Sequence, residues 1–177
     1  MSLPEQPRLR VLISHDRLEQ RIAELGAQID ADYGEGPIVL IGILKGSYIF
    51  LADLARAIRT ARPRIEFMGV SSYGKGKTTS GQVKVTKDLD VPVEGMDVLI
   101  VEDIVDSGVT LSYLLEMLSA RQPKSLKIAT LLDKPERRIR DVKVDYVGFQ
   151  IPDEFVVGAG LDYAEDYRNL RDVCVLE

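Results

Sequence analysis

The sequence predicts an α/β fold: a mainly parallel central sheet with helices on both faces. Three observations predict it. Short apolar runs alternate along the chain with segments whose apolar residues recur at helical spacing. The runs 37–43 and 97–101 are apolar almost throughout rather than alternating, as strands buried on both faces are. Finally, Lys45-Gly46, Glu102-Asp103 and Lys134 each follow such a run. They therefore collect at the carboxyl ends of strands, where sheets of this kind bind ligands.

Each element has its own signal. Residues 1–9, with Pro4 and Pro7, read as a flexible tail. A helix follows, with Ser14 as N-cap and Leu18, Ile22, Leu25 and Ile29 at helical spacing. Gly34 and Gly36 end it. Pro37–Ile43 is a buried strand, and a helix starting at Gly46 carries Ile49, Leu51, Leu54 and Ile58. Ile65–Ser72 is a strand. The polar, Gly-rich stretch 73–81 is a mobile loop by composition. Val83 and Val85 alternate with lysines, which predicts an exposed strand. Asp97–Val101 is the second buried strand, followed by a helix over Val109–Arg121. Leu126–Leu132 and Val144–Ile151 are the remaining strands of the sheet. The chain of 177 residues shows no internal repeat and no linker, so a single domain is expected.

Composition narrows the function classes. With 45% hydrophobic and 29% charged residues, the mix is that of a soluble globule. A net charge of −5 argues against a general nucleic-acid binder, which needs a basic face. The N-terminus lacks the apolar core of a signal peptide, and no apolar stretch reaches membrane-spanning length. Cys174, the single cysteine, lies in the run Val-Cys-Val-Leu and reads as a buried strand residue. No disulfide can form within the chain, which fits a reducing, cytoplasmic setting.

Residues 98–111 carry the chemistry. A greasy strand runs into Glu102, Asp103 and Asp106, and a Ser107-Gly108-Val109-Thr110-Leu111 turn opens a helix. Gly108 allows a tight turn and a close approach to a ligand, and Ser107 is positioned to cap the helix. The first helical N–H groups have no partner within the helix and point outward with the positive end of its dipole, which suits a phosphate. Adjacent Glu102 and Asp103 repel one another unless a cation or hydroxyl donors neutralise them. Acids fit for a metal or for sugar hydroxyls thus stand beside a phosphate cradle, and together they point to a phosphorylated sugar. Two other motifs fail. Gly76-Lys77-Thr78 resembles the end of a P-loop, but Ser71 stands where that motif needs glycine, and Thr79-Ser80-Gly81 follows where it needs a helix. Gly-x-Gly-x-x-Gly is absent: neither Gly74 and Gly76 nor Gly158 and Gly160 are followed by the third glycine.

The stretch from Val101 to Leu111 resembles the phosphoribosyl-pyrophosphate motif of type I phosphoribosyltransferases. Leu44-Lys45-Gly46-Ser47 is similar to the pyrophosphate loop of that family's hypoxanthine-guanine branch, and Ser71-Ser72-Tyr73-Gly74 to the start of its catalytic lid. Leu132-Asp133-Lys134-Pro135 and the segment Pro152–Gly158 resemble its purine-recognition pieces. Leu161-Asp162-Tyr163 and Tyr167-Arg168-Asn169-Leu170 match its C-terminal pieces. The resemblance spans residues 10–177 with the motifs in family order. One departure is Ala159, where many members carry an aromatic residue beside the base pocket.

That resemblance implies the type I phosphoribosyltransferase fold, with a small hood segment and a mobile lid. It implies a purine-salvage transferase moving 5-phosphoribosyl from phosphoribosyl pyrophosphate to hypoxanthine or guanine, giving IMP or GMP and pyrophosphate. By this analogy Glu102 and Asp103 hold the ribose hydroxyls, and Ser107, Gly108, Val109, Thr110 and Leu111 hold the 5-phosphate. Lys45, Gly46 and Arg168 hold pyrophosphate, with a non-proline cis bond at Leu44-Lys45. Ser72 and Tyr73 act in the lid. Asp106 handles the proton at the purine N7, Lys134 donates to O6, Phe155 stacks on the ring, and the Val156 backbone reads the base edge. Mg²⁺ is the implied cofactor, with Glu102, Asp103 and Asp162 as its carboxylates. The implied assembly is a homodimer or homotetramer. His15, the one histidine, is far from every motif, and Arg137, Arg138, Arg140 and Lys143 read as a solvated face or a subunit contact. Two rival readings are a regulatory RNA-binding nucleotide sensor on the same fold, and a P-loop kinase.

Overall fold

The computed structural model describes residues 7–72 and 83–177. Its main sheet has six strands in the order β4-β3-β2-β5-β6-β7. These are β2 (Pro37–Leu44), β3 (Arg62–Ser72), β4 (Val83–Lys87), β5 (Asp97–Val105), β6 (Ser125–Asp133) and β7 (Tyr146–Gln150). All neighbours pair in parallel except β4, which closes one edge antiparallel to β3. A mainly parallel sheet is thus borne out.

The pleat explains why β2 and β5 are apolar throughout. Leu40, Leu99 and Val101 face one core, whereas Val39, Ile41, Val98 and Ile100 face another. Helices α1 (His15–Tyr33) and α2 (Tyr48–Ala57) cover the first face, and α3 (Val109–Ser119) covers the second. Burial of each such side chain contributes about 1.5–3 kcal/mol. A polar residue on either face of these strands would therefore be costly, and between Asp97, the first residue of β5, and Glu102 none occurs.

Three boundaries differ from expectation. The tail is shorter, because β1 (Leu9–Ile13) pairs antiparallel with β9 (Val173–Leu176), which also pairs with β8 (Val156–Val157). This three-stranded sheet forms the hood. Sequence reading missed β1, which is only five residues long and follows the prolines Pro4 and Pro7. Cys174 is buried in β9, as its run predicts. Next, β5 does not stop at Val101 but continues through both acids to Val105. Lastly, Ser14 and Gly108 occupy the N-cap positions of α1 and α3, and neither gives its helix a side-chain cap. The expected cap Ser107 lies one residue earlier, with its Oγ 3.4 Å from the Val109 N–H. The Gly-rich segment 73–81, including Tyr73, lies outside the described residues, and Ser72 is the last residue of β3.

Candidate active site

The carboxyl ends of β2, β5 and β6 open into two clefts. The first, of about 340 Å³, is bordered by Lys45 and Gly46 after β2, by Glu102 through Gly108 with Thr110 and Leu111, and by Asp162 and Arg168. The second, of about 540 Å³, is bordered by Lys134, Arg137, Asp153, Phe155, Val156 and Leu161. Asp103, Ile104, Asp106 and Asp162 line both, so the clefts meet along one wall. A two-part ligand, one part polar and one part flat, matches that arrangement.

The cradle between β5 and α3 is built as the residues suggest. Gly108 has a φ of +80°, a conformation that a side chain would strain. The Ser107 carbonyl accepts from the N–H groups of Ile139 and Arg140, at 2.9 and 3.0 Å, which ties the loop to the segment after β6. The first amides of α3 have no acceptor inside the helix and border the first cleft.

Glu102 is only 8% exposed, and Asp103 packs beside it. Burial pushes both carboxyls above the ordinary carboxylate range, Glu102 the further, because the Asp103 charge adds to the burial. The Ile104 N–H, 2.8 Å from Asp103 Oδ1, offsets part of this for Asp103. Gly46 is needed here: a Cβ on it would collide with the Asp103 carboxylate. The peptide bond Leu44-Lys45 is cis, as the resemblance implies.

Asp162 and Arg168 come from the loop between β8 and β9. Arg168 Nη1 donates to the Gly160 carbonyl at 2.8 Å, and Nη2 lies 3.0 Å from Asp162 Oδ1. Arg168 is therefore a partly buried loop residue rather than a charge on a surface helix, and its buried Nε has no partner among the described residues. Among the described residues no three or more His, Cys, Asp or Glu side chains gather into a metal-binding group. Glu102, Asp103 and Asp162 border the same cleft without forming a closed ligand set. The pair, with Glu102 buried and Asp103 partly so, nonetheless fits Mg²⁺, which binds through one or two carboxylates and completes its shell with water or substrate oxygens.

In the second cleft Phe155 is 53% exposed, and its ring meets the Tyr163 ring edge-on at 5.7 Å and 87°. Val156 is buried in β8, and Lys134 is buried with its Nζ 3.7 Å from Asp153 Oδ1. Ala159 does not border this cleft. It lines a separate cavity of about 410 Å³ against α1 and α2, so an aromatic residue at that position would bear on helix packing rather than on the second cleft.

Two arginines take a place that their sequence context did not reveal. Arg137 Nε lies 3.0 Å from Asp106 Oδ1 and its Nη1 lies 3.5 Å from Asp153 Oδ2. Arg138 pairs with buried Asp133 and donates to the Asp106 carbonyl at 2.9 Å. Neither belongs to a merely solvated face. The available signal was their position just past the β6 terminus, three and four residues after Lys134. His15 stays outside the site, with Glu19 and Arg171 around its ring.

The phosphoribosyl transferase domain family matches residues 12–164. A hypoxanthine-guanine phosphoribosyltransferase of Bacillus subtilis is 53% identical over 168 residues, covering 95% of this chain and 93% of that protein. A hypoxanthine phosphoribosyltransferase of Salmonella typhimurium is 54% identical over 164 residues, covering 92% of each. Among solved structures, a hypoxanthine-guanine phosphoribosyltransferase from Bacillus anthracis superposes with a TM-score of 0.92 at 48% identity, covering 97% of this chain and 100% of that one.

Proposed function

The chain belongs to the phosphoribosyl transferase domain family, and on that premise we propose that it makes purine nucleotides from free bases. It is a transferase of purine salvage, moving 5-phosphoribosyl from phosphoribosyl pyrophosphate to hypoxanthine or guanine. The products are IMP or GMP and pyrophosphate. One observation carries this reading: the cradle with its acids and a second cleft lined by Phe155, Val156 and Lys134 share the wall Asp103, Ile104, Asp106 and Asp162.

On this reading the residues divide three tasks. The amides of residues 107–111 and the hydroxyls of Ser107 and Thr110 hold the 5-phosphate. Glu102 and Asp103 accept from the ribose 2′ and 3′ hydroxyls, and their charge favours the cationic ribose as the glycosidic bond breaks. Lys45, Gly46 and Arg168 hold the departing pyrophosphate, the orphaned Arg168 Nε among the donors. Mg²⁺, held by Asp162 and the Glu102/Asp103 pair together with substrate oxygens, would neutralise charge on pyrophosphate. Asp106 takes the proton from the purine N7. The exposed face of Phe155 stacks on the base, and the Val156 backbone reads its edge. Lys134 donates to O6, and adenine, with an amino group there, would leave two donors facing each other. Ser72 and Tyr73 close the lid in this proposal.

The reading includes a cytoplasmic setting and a homodimer or homotetramer. Among the described residues no helix is long and apolar enough to cross a membrane. The RNA-binding alternative finds no support among these relatives. The test is a product assay with phosphoribosyl pyrophosphate, Mg²⁺ and hypoxanthine, guanine, xanthine, adenine or uracil. Wild type is expected to convert hypoxanthine or guanine and to leave adenine and uracil unchanged. Lys134→Ala should narrow the gap between hypoxanthine and adenine by at least about tenfold. An unchanged ratio would remove Lys134 from base selection.

A further inference from the structure

The loop between Asp162 and Arg168 has a conformation that its sequence does not favour. Tyr163 and Asp166 exchange both backbone hydrogen bonds, at 3.1 and 3.0 Å, around a two-residue turn. The central residues Ala164 and Glu165 have φ of +51° and +71°, and Tyr167 follows at +74°. Turns of this hand are normally built from glycine or asparagine, because a Cβ strains them. Here the chain keeps a glutamate at the second central position.

Contacts show what that position achieves. The Glu165 N–H donates to Asp162 Oδ2 at 2.8 Å, so the turn fixes the Asp162 carboxylate. The Glu165 side chain reaches the other way. Its Oε2 lies 3.0 Å from Lys45 Nζ and 3.4 Å from Arg168 Nη2, bridging cations from two loops. The Lys45 ammonium holds the Glu165 carboxyl below its ordinary range. Lys45 and Glu165 are 67% and 64% exposed, so the pair is weak and readily exchanged for another anion.

We infer that Glu165 is a displaceable internal counter-ion, which holds Lys45 and Arg168 in place until pyrophosphate oxygens take them over. This rests on the reading of Lys45 and Arg168 as the pyrophosphate subsite. Glu165 is a positioning residue: it forms no bond to the reacting atoms. Its carboxylate competes with the leaving group for the same two cations, which weakens product retention and favours release.

The experiment is calorimetric titration of the full-length protein with inorganic pyrophosphate in MgCl₂, at low and high salt. Three proteins are compared: wild type, Glu165→Gln and Asp166→Asn. Glu165→Gln preserves size and the backbone turn but removes the charge. Its pyrophosphate affinity is expected to rise about three- to fivefold at low salt, and the gain should shrink at high salt. Product inhibition by pyrophosphate should strengthen in parallel, while KM for hypoxanthine stays constant. Asp166→Asn removes a neighbouring charge that pairs with neither cation, and its affinity should match wild type. The inference falls if Glu165→Gln binds pyrophosphate no tighter than wild type, or if Asp166→Asn tightens it equally. Absence of pyrophosphate binding by wild type would overturn the subsite assignment itself, a result distinct from equal binding by all three.

Discussion

Asp106 shows how much a single side chain must do here. Its carboxylate faces the wall shared by both clefts and meets Arg137. In the proposed reaction the proton acceptor at the purine N7 has to sit beside the second cleft while its backbone belongs to the β5–α3 turn, and Asp106 lines both clefts. Asp106→Asn keeps shape and removes basicity. We expect kcat to fall by about 10²-fold or more with the KM for hypoxanthine little changed. Steady-state kinetics checks this, and a variant with full kcat would assign the proton transfer to another group. Most residues of this site were visible in the sequence, because Glu102, Asp103, Asp106 and the 107–111 turn are consecutive. Arg137 and Arg138 were not, since their partners Asp106, Asp133 and Asp153 approach only after β6 has been paired into the sheet. Nothing local in Arg-Arg distinguishes a solvated pair from one folded onto a loop.

At the scale of elements, two junctions set the geometry. Gly46 after β2 lies against the side chain of Asp103 of β5, so a Cβ there must displace the Asp103 carboxylate. Gly46→Ala should cost about 1–3 kcal/mol of stability, or raise the KM for phosphoribosyl pyrophosphate by displacing Asp103. Thermal unfolding and kinetics together check this, and neither change would place the acids differently. The second junction is Asp30 in α1, which accepts from the N–H groups of Arg59, Thr60 and Ala61 ahead of β3, each at 2.8 Å. Its burial opposes ionisation, but the three donors outweigh that, and the carboxyl is held below its ordinary value. A depressed folded value stabilises the protein above the unfolded pKa of about 3.9, and this contribution is lost as pH falls through the folded value. Asp30→Asn should therefore cost about 1 kcal/mol at neutral pH, allowing for the open surroundings, and the deficit should shrink in acid. Denaturant melts across that range decide it; a gap that widens in acid would reverse the sign. The same scale explains what sequence reading reached. The long apolar strands announced themselves, because both faces of β2 and β5 are buried. The hood was implied only by the resemblance, because β1, β8 and β9 are short and β1 finds its partner β9 at the opposite end of the chain.

For the whole molecule, the sheet order brings the ends of β2, β5 and β6 side by side, and the hood lends Phe155 and Val156 to the second cleft. Neither part holds a complete site alone. The central claim is that the buried acid pair and the mouth of α3 together grip an activated, magnesium-bound pentose. The most direct measurement is calorimetric binding of phosphoribosyl pyrophosphate to wild type and to the double variant Glu102→Gln/Asp103→Asn, each with and without Mg²⁺. The account predicts binding by wild type that weakens about tenfold or more when Mg²⁺ is chelated, and a double variant whose response to the metal is much smaller. Wild type that ignores phosphoribosyl pyrophosphate, or a double variant that keeps the full magnesium response, would contradict it.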